Sequence, residues 1–379
     1  MNSQDFDIIQ MAKEKIDEEL KKMGHFNILI SGKTGVGKST LVNAVFGSKV
    51  AETGVGNPIT QHISEITVPG KPLRIYDTVG LELSAERQEI IKKEILDTIE
   101  DARQNDRDKL IHCIWYCINA NSNRIEQEEI DFMNSLAKET GVSVIIVLTQ
   151  SYGKNSKELK SYIDNLNLNV KHTFCILAED YEIDDDYTKK AYGCDKLVEF
   201  TAEIIPEEAQ KAFIAAQTAS LKAKHSRAMG VIAGAVTAAF GEGFLPIPCS
   251  DAAALVPTQM AMIAGITAVY GVNVKKSVMT SIVTSLLGTT TLTIAGKTIV
   301  SNLLKFIPGV GTAVGGMISG GTAGALTGAL GRTYMVIMEK MLKGEITEKE
   351  LENKETYRQF TDMFKENLKH SDNKSLLKM

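Results

Sequence analysis

Eight consecutive residues, Gly32-Lys33-Thr34-Gly35-Val36-Gly37-Lys38-Ser39, have the types and spacing to hold phosphate groups. Their glycines let the backbone turn tightly, so that successive N–H groups face inward at the start of a helix, where the helix dipole favours an anion. In this G-x-x-x-x-G-K-S arrangement Lys38 reaches the outer phosphates, and the Ser39 hydroxyl is a ligand for Mg²⁺. The motif also has the context it requires. Phe26-Asn27-Ile28-Leu29-Ile30 reads as a buried strand before it, and the run from Thr40 to Phe46 reads as a helix after it. The pattern predicts a nucleotide-binding domain.

Further phosphate chemistry lies downstream. Asp77-Thr78-Val79-Gly80 closes an apolar run over residues 73–76. An aspartate leaving a strand holds Mg²⁺ through water, and the Gly80 N–H is placed to sense a γ-phosphate. Between the two motifs, Thr60 precedes an edge-type strand and is the candidate switch threonine, a second hydroxyl ligand for Mg²⁺, with Thr53 next in line.

The elements that position these residues alternate. Apolar runs at 27–31, 63–68, 73–76, 110–118, 144–148 and 173–177 read as strands. Helical stretches at 85–103, 125–139, 154–165 and 193–203 separate most of them. Only 63–76 lacks a helix, and Pro69-Gly70-Lys71-Pro72 reads as a turn there. This order predicts an α/β domain with a mostly parallel sheet, one antiparallel strand and helices on both faces. The acidic run 182–186 reads as a solvated loop.

At 379 residues the chain has room for more than one core. The expected organisation is an amphipathic helix over 1–24, a nucleotide domain over 25–205, a hydrophobic helical domain over 206–343 and a charged tail over 344–379. The tail reads as solvent-facing helices followed by a loose end. A net charge of -5 without a basic face argues against a nucleic-acid partner. The five cysteines lack metal spacing, and Cys113 and Cys117 read as core residues. Free thiols and the absence of a signal peptide point to the cytosol. The six histidines are isolated, and no protease, glycosidase or redox constellation is present.

In this order on this topology, the phosphate loop, Thr60 and Asp77-Thr78-Val79-Gly80 resemble a translation-factor-class GTPase. The phrase from Gly32 to Thr40 is similar to the Era-, septin-, plastid-receptor- and dynamin-like branches, and position 35 is Gly where the potassium-activated ribosome-assembly GTPases carry Asn. The resemblance implies GTP or GDP as bound nucleotide, held by residues 32–40, Asp77 and Gly80. It implies Mg²⁺ on Ser39, Thr60 and Asp77, and Lys38, Thr60 and Gly80 acting at the γ-phosphate. Leu81 stands where Ras-like members carry a water-orienting Gln, so slow turnover is expected, and water positioning falls to backbone, another side chain or a partner, a homodimer across the nucleotide face being one such partner. Thr149 and Gln150 occupy the base-recognition motif, whose usual Asp is replaced by Tyr152, which weakens the expected guanine preference. The Ala178 N–H would meet guanine O6, with Glu179 or Asp180 as substitute carboxylates.

A second resemblance covers residues 209–342. Pro246-Ile247-Pro248-Cys249-Ser250-Asp251, Gln259-Met260 and Ile307-Pro308-Gly309-Val310-Gly311 look like the hydrophobic helical domain of YcjF-type bacterial proteins. Residues 252–274, 277–296 and 306–331 carry no charge, and Gly316, Gly320, Gly324 and Gly328 repeat at the spacing of closely packed membrane helices. Ser, Thr, Gln and Asn dilute these stretches, so a buried soluble bundle explains them as well. The expectation is a GTP-hydrolysing switch with conditional association to membrane lipid at the inner membrane. The alternatives are a soluble nucleotide-dependent interaction module and an ATP-using or nucleotide-promiscuous variant.

Overall fold

The computed structural model describes residues 14–15, 17–19, 21–47, 50, 55–78, 85–122, 125–242, 251–272, 320–347 and 349–371. The chain divides into two compact units, one of Met23–Ala223 and one of Met1–Lys22 with Lys224–Met379.

In the first unit, β1 (Phe26–Gly32) is buried at every position and lies between parallel neighbours. That explains its continuous apolar reading, since a strand covered on both faces has no polar alternation. The other strands are β2 (Val55–Pro58), β3 (Ile63–Thr67), β4 (Leu73–Thr78), β5 (Cys113–Asn119), β6 (Ser143–Thr149) and β7 (His172–Cys175). They form a seven-stranded sheet in the order β2-β3-β4-β1-β5-β6-β7. Strand β3 runs antiparallel to both its neighbours, and the pairs among β4, β1, β5, β6 and β7 are parallel. The predicted sheet is therefore present, with one correction. Val55–Pro58 pairs as an added edge strand, so β3 is interior. Its four residues include Gly56 and Pro58, which are poor strand formers, so a local reading misses it.

The helices are α1 (Lys38–Phe46), α2 (Ala85–Asn105), α3 (Gln127–Thr140), α4 (Asn155–Asn165), α5 (Cys194–Ile204) and α6 (Glu207–Ala216). One face of the sheet packs Leu29, Tyr76, Tyr116 and Ile146 against Ile91 and Ile95 of α2, Met133 and Leu136 of α3, and Ile163 of α4. On the other, Phe46 of α1 stacks on Trp115, and Phe213 of α6 lies 4.5 Å from Phe26. Cys113 and Cys117 are free thiols buried in β5, as their apolar surroundings predict. Residues 181–189 are not a plain loop: β8 (Tyr181–Asp184) and β9 (Tyr187–Lys189) form an antiparallel hairpin.

The second unit contains α7 (Leu221–Glu242, which begins in the first), α8 (Asp251–Tyr270), α9 (Gly320–Leu342) and α10 (Lys354–Ser371). A Cβ on Gly331 would lie 2.8 Å from both Ile232 and Met262, and one on Gly328 would lie 3.3 Å from Val236. The small residues of α9 are thus used inside the protein, where α7 and α8 approach closely. Buried polar pairs fix the register: Thr267 and Tyr334 hydroxyls are 2.6 Å apart, and Lys224, fully buried, donates to the carbonyls of Val269 and Tyr270. Helix α10 departs from the expected solvent-facing tail. Its many charges hide a stripe of Phe360, Phe364 and Leu368, each buried at four-residue spacing. Among the described residues no helix is long and apolar enough to cross a membrane. Residues 277–296, Gly316 and Pro246, Pro248 and Pro308 lie outside the described residues, as does most of 306–331.

Candidate functional site

Sheet register brings the candidate residues to one end. Ile30 pairs with Asp77, Gly32 with Cys117, and Asn119 with Thr149, so the carboxyl ends of β4, β1, β5 and β6 open on a common crevice. That is where ligands bind in an open α/β sheet. Gly32 stands at the closest approach. A Cβ there would meet the Cys117 carbonyl oxygen at 2.3 Å, and its φ of +141° suits glycine alone.

The loop is held from inside. The Lys38 ammonium donates to the carbonyls of Gly32 at 2.8 Å and Lys33 at 3.0 Å. Thr34, Gly35 and Ser39 are exposed, and Val36 is buried. Thr149 donates its hydroxyl to the Val36 carbonyl, which ties the loop to β6. The side chain of Lys33 turns to α3, 2.9 Å from Glu129 and 3.2 Å from Glu126. Burial pulls the Lys33 ammonium down, but the two carboxylates together hold it above its ordinary value. The side chain of Lys33 therefore braces the loop against α3. Its partners lie far along the chain, and no local signal marks them.

Asp77 is the most telling residue of the crevice. Its Oδ1 is buried with no hydrogen-bond partner among the described residues. Burial raises the carboxyl's pKa, with the Lys38 charge opposing. Thr78 beside it donates to the Ser31 hydroxyl at 3.2 Å and so fixes the end of β4. Among the described residues there is no group of three or more His, Cys, Asp and Glu that would form an all-protein metal cage.

Thr60 is engaged elsewhere. Its hydroxyl donates to Glu94 of α2 and accepts from the backbone N–H of His62 and Ile63. His62 Nδ1 also lies 3.0 Å from the other Glu94 oxygen. Thr60 lines a pocket of about 260 Å³ with Tyr76, Asp97, Thr98 and Lys109, and no residue of the phosphate loop borders it. Glu94 was not legible as a partner, being one acidic residue on a charged helix. Gly80, Leu81 and Thr53 lie outside the described residues.

At the far wall, Gln150 has a φ of +52° and points its amide at Gly35 O, 3.4 Å away, while Asn119 donates to its Oε1. Asn121 donates to the Gln150 carbonyl at 2.9 Å. Leu177 bridges to Tyr192, which sets the loop carrying Ala178 beside Ser151. Asp180 is taken up by Lys190 and the Ala191 N–H. Tyr152 stacks on Tyr181, with ring centroids 4.0 Å apart and planes at 2°.

A phosphate-binding loop between a buried parallel strand and a helix, with an aspartate on the adjoining strand, defines a P-loop nucleotide-binding domain. Residues 27–150 match the family described as 50S ribosome-binding GTPase, and residues 207–362 match a domain of unknown function, DUF697. The chain is a GTPase domain joined to a DUF697 domain. Septin-12 of Homo sapiens is 25% identical over 195 residues, covering 44% of this chain and 53% of its own. Translocase of chloroplast 101 of Physcomitrium patens is 45% identical over 56 residues, covering 14% of this chain and 6% of its own. The crystal structure of a probable GTP-binding protein engB aligns at 21% identity with a TM-score of 0.31, covering 47% of this chain and 98% of that one. The chain spans about half the length, or less, of the first curated relatives it matches. The DUF697 match begins where α6 does, yet α6 packs on β1 within the first unit.

Proposed function

We propose that this protein is a nucleotide switch that binds GTP and GDP, hydrolyses GTP slowly, and passes the state of its phosphate site to the DUF697 domain. The observation that carries the reading is the pair formed by Lys38, whose ammonium rests on its own loop's carbonyls, and Asp77, whose buried oxygen has no partner among the described residues. On phosphate binding, Lys38 exchanges those carbonyls for phosphate oxygens, and the backbone N–H groups of residues 33–38 surround the anion. Asp77 and Ser39 suit Mg²⁺, which favours one or two carboxylate or hydroxyl oxygens with water and phosphate completing its shell. Bound there, the ion would neutralise phosphate charge. With Leu81 at the position of the missing Gln, the attacking water falls to backbone groups, another side chain or a second copy facing the nucleotide.

Output through α6 is supported by how the end of α1 is held. Lys71 donates to the carbonyls of Phe46 and Ala216, and the Thr218 N–H donates to Val45 O at 2.7 Å. A shift of the helix that follows the phosphate loop therefore moves the start of the DUF697 match.

Thr60 is the moving part. Held by Glu94, it must leave that carboxylate to reach a metal ion. A hydrogen bond to a charged acceptor contributes about 1.5–3 kcal/mol. Glu94→Ala should therefore tighten binding of a non-hydrolysable GTP analogue about tenfold while leaving GDP affinity unchanged. Equal affinity of wild type and variant for the analogue would remove Thr60 from the switch.

The uncharged stretches 277–296 and 306–331 support association with membrane lipid. Liposome flotation with GTP analogue, GDP or no nucleotide tests this. Analogue-dependent flotation is the expected result. Protein that stays out of the lipid fraction in all three states would make the DUF697 domain a packed bundle that works on a protein partner.

A further inference from the structure

The segment that touches the phosphate loop at Thr149 and Gln150 runs on into an aromatic pair, Tyr152 and Tyr181, that no phosphate chemistry requires. Asp77 closes the crevice on the β4 side, and the metal and outer phosphates belong there with Ser39. The nucleoside must then extend the other way, across β5 to the ends of β6 and β7. That wall is built against the loop itself: Thr149 bonds Val36 O, and the Gln150 amide lies at Gly35 O.

The next residues are held with unusual care. The Ser151 N–H donates to Ile176 O at 3.0 Å, and the Tyr192 hydroxyl donates to Ser151 O at 2.7 Å. Lys189 of β9 donates to Tyr152 O at 2.7 Å. The β8–β9 hairpin thus fastens to the 149–152 segment and presents Tyr181 against the Tyr152 ring. Asp180, one of two candidate carboxylates for a base, is consumed in closing the hairpin's foot, where Lys190 and the Ala191 N–H lower its pKa. The hydrogen bond with Tyr181 raises the pKa of the Tyr152 phenol.

A carboxylate only accepts hydrogen bonds, so it suits the N1–H and amino edge of guanine and rejects adenine, whose N1 is an acceptor. A phenol both donates and accepts. It meets either edge at similar cost. We propose that Tyr152, clamped by Tyr181 and the β8–β9 hairpin, is the residue that faces the base, and that it makes the site accept 6-oxo and 6-amino purine nucleotides alike. The inference rests on the nucleotide-switch reading and specifies the ligand class of that site.

Competition of GTP, ITP and ATP against a fluorescent GTP analogue on the wild-type full chain tests it. The three should displace the probe within about tenfold of one another, against the 10⁴–10⁵ that a dedicated hydrogen-bonding site achieves. Tyr152→Asp should widen the GTP-to-ATP ratio at least tenfold, and Tyr152→Phe, which keeps the ring stack, should weaken GTP and ATP together. A wild-type preference for GTP over ATP above about a hundredfold would overturn the proposal, whatever the variants do. So would a Tyr152→Asp ratio equal to the wild-type one in a variant that melts normally. If the GTP probe does not bind wild type at all, the reading beneath the proposal falls with it.

Discussion

Lys38→Ala is expected to weaken GTP and GDP binding by about a thousandfold, equivalent to roughly 4 kcal/mol. Two or more charge-assisted hydrogen bonds to phosphate oxygens, each contributing about 1.5–3 kcal/mol, account for that size. The loss should appear for both nucleotides, because the ammonium reaches phosphates they share. Stability should change much less. Lys38 braces the loop through the carbonyls of Gly32 and Lys33, but those oxygens lie at a crevice that water can enter. Titration with a fluorescent GDP analogue, beside a thermal melt, separates a lost ligand contact from a lost fold. Binding within threefold of wild type in a folded Lys38→Ala protein would mean that Gly32–Ser39 is not the phosphate site.

The second large effect concerns folding. Gly32→Ala is expected to destabilise the first unit by about 4 kcal/mol, adding a buried clash to an unfavourable backbone angle. The Cβ would stand 2.3 Å from a carbonyl oxygen of β5, and both strands lie in the centre of the sheet, so neither partner can give. Gly70→Ala is the control. Gly70 also has positive φ, +76°, but a Cβ there meets nothing within 4 Å. Only the backbone penalty, about 1 kcal/mol, is expected. Denaturant midpoints compare the two. Similar midpoints would show that β1 and β5 can separate at Gly32, and that the loop's first glycine is kept for the ligand alone.

Glycine spacing, apolar runs and helical periodicity were enough to read the glycine-rich loop after β1, six of the sheet's seven strands, and Asp77 at the end of β4. These features are local. A loop that must turn within eight residues, or a strand buried on both faces, has to write its requirement into consecutive residues. The same is true of the alternation that made the sheet mostly parallel.

Pairing across the chain was not legible in that way. Val55–Pro58 becomes a strand only because β3 offers it an edge, and the acidic run 181–189 becomes a hairpin because Tyr152, Ser151 and Leu177 anchor it. Lys33 read as part of the glycine-rich loop, and nothing local marked its side-chain partners, Glu126 and Glu129, over ninety residues away. Thr60 read as a metal ligand, and its hydroxyl rests on Glu94. The charged C-terminal run read as solvent-facing, because a stripe of three apolar residues on a polar helix is faint until a partner helix covers it. Local residue types were enough to mark the glycine-rich loop and the kind of sheet that carries it. Tertiary structure decided where each charged side chain goes, since a long side chain is free to choose among partners that only folding brings within reach.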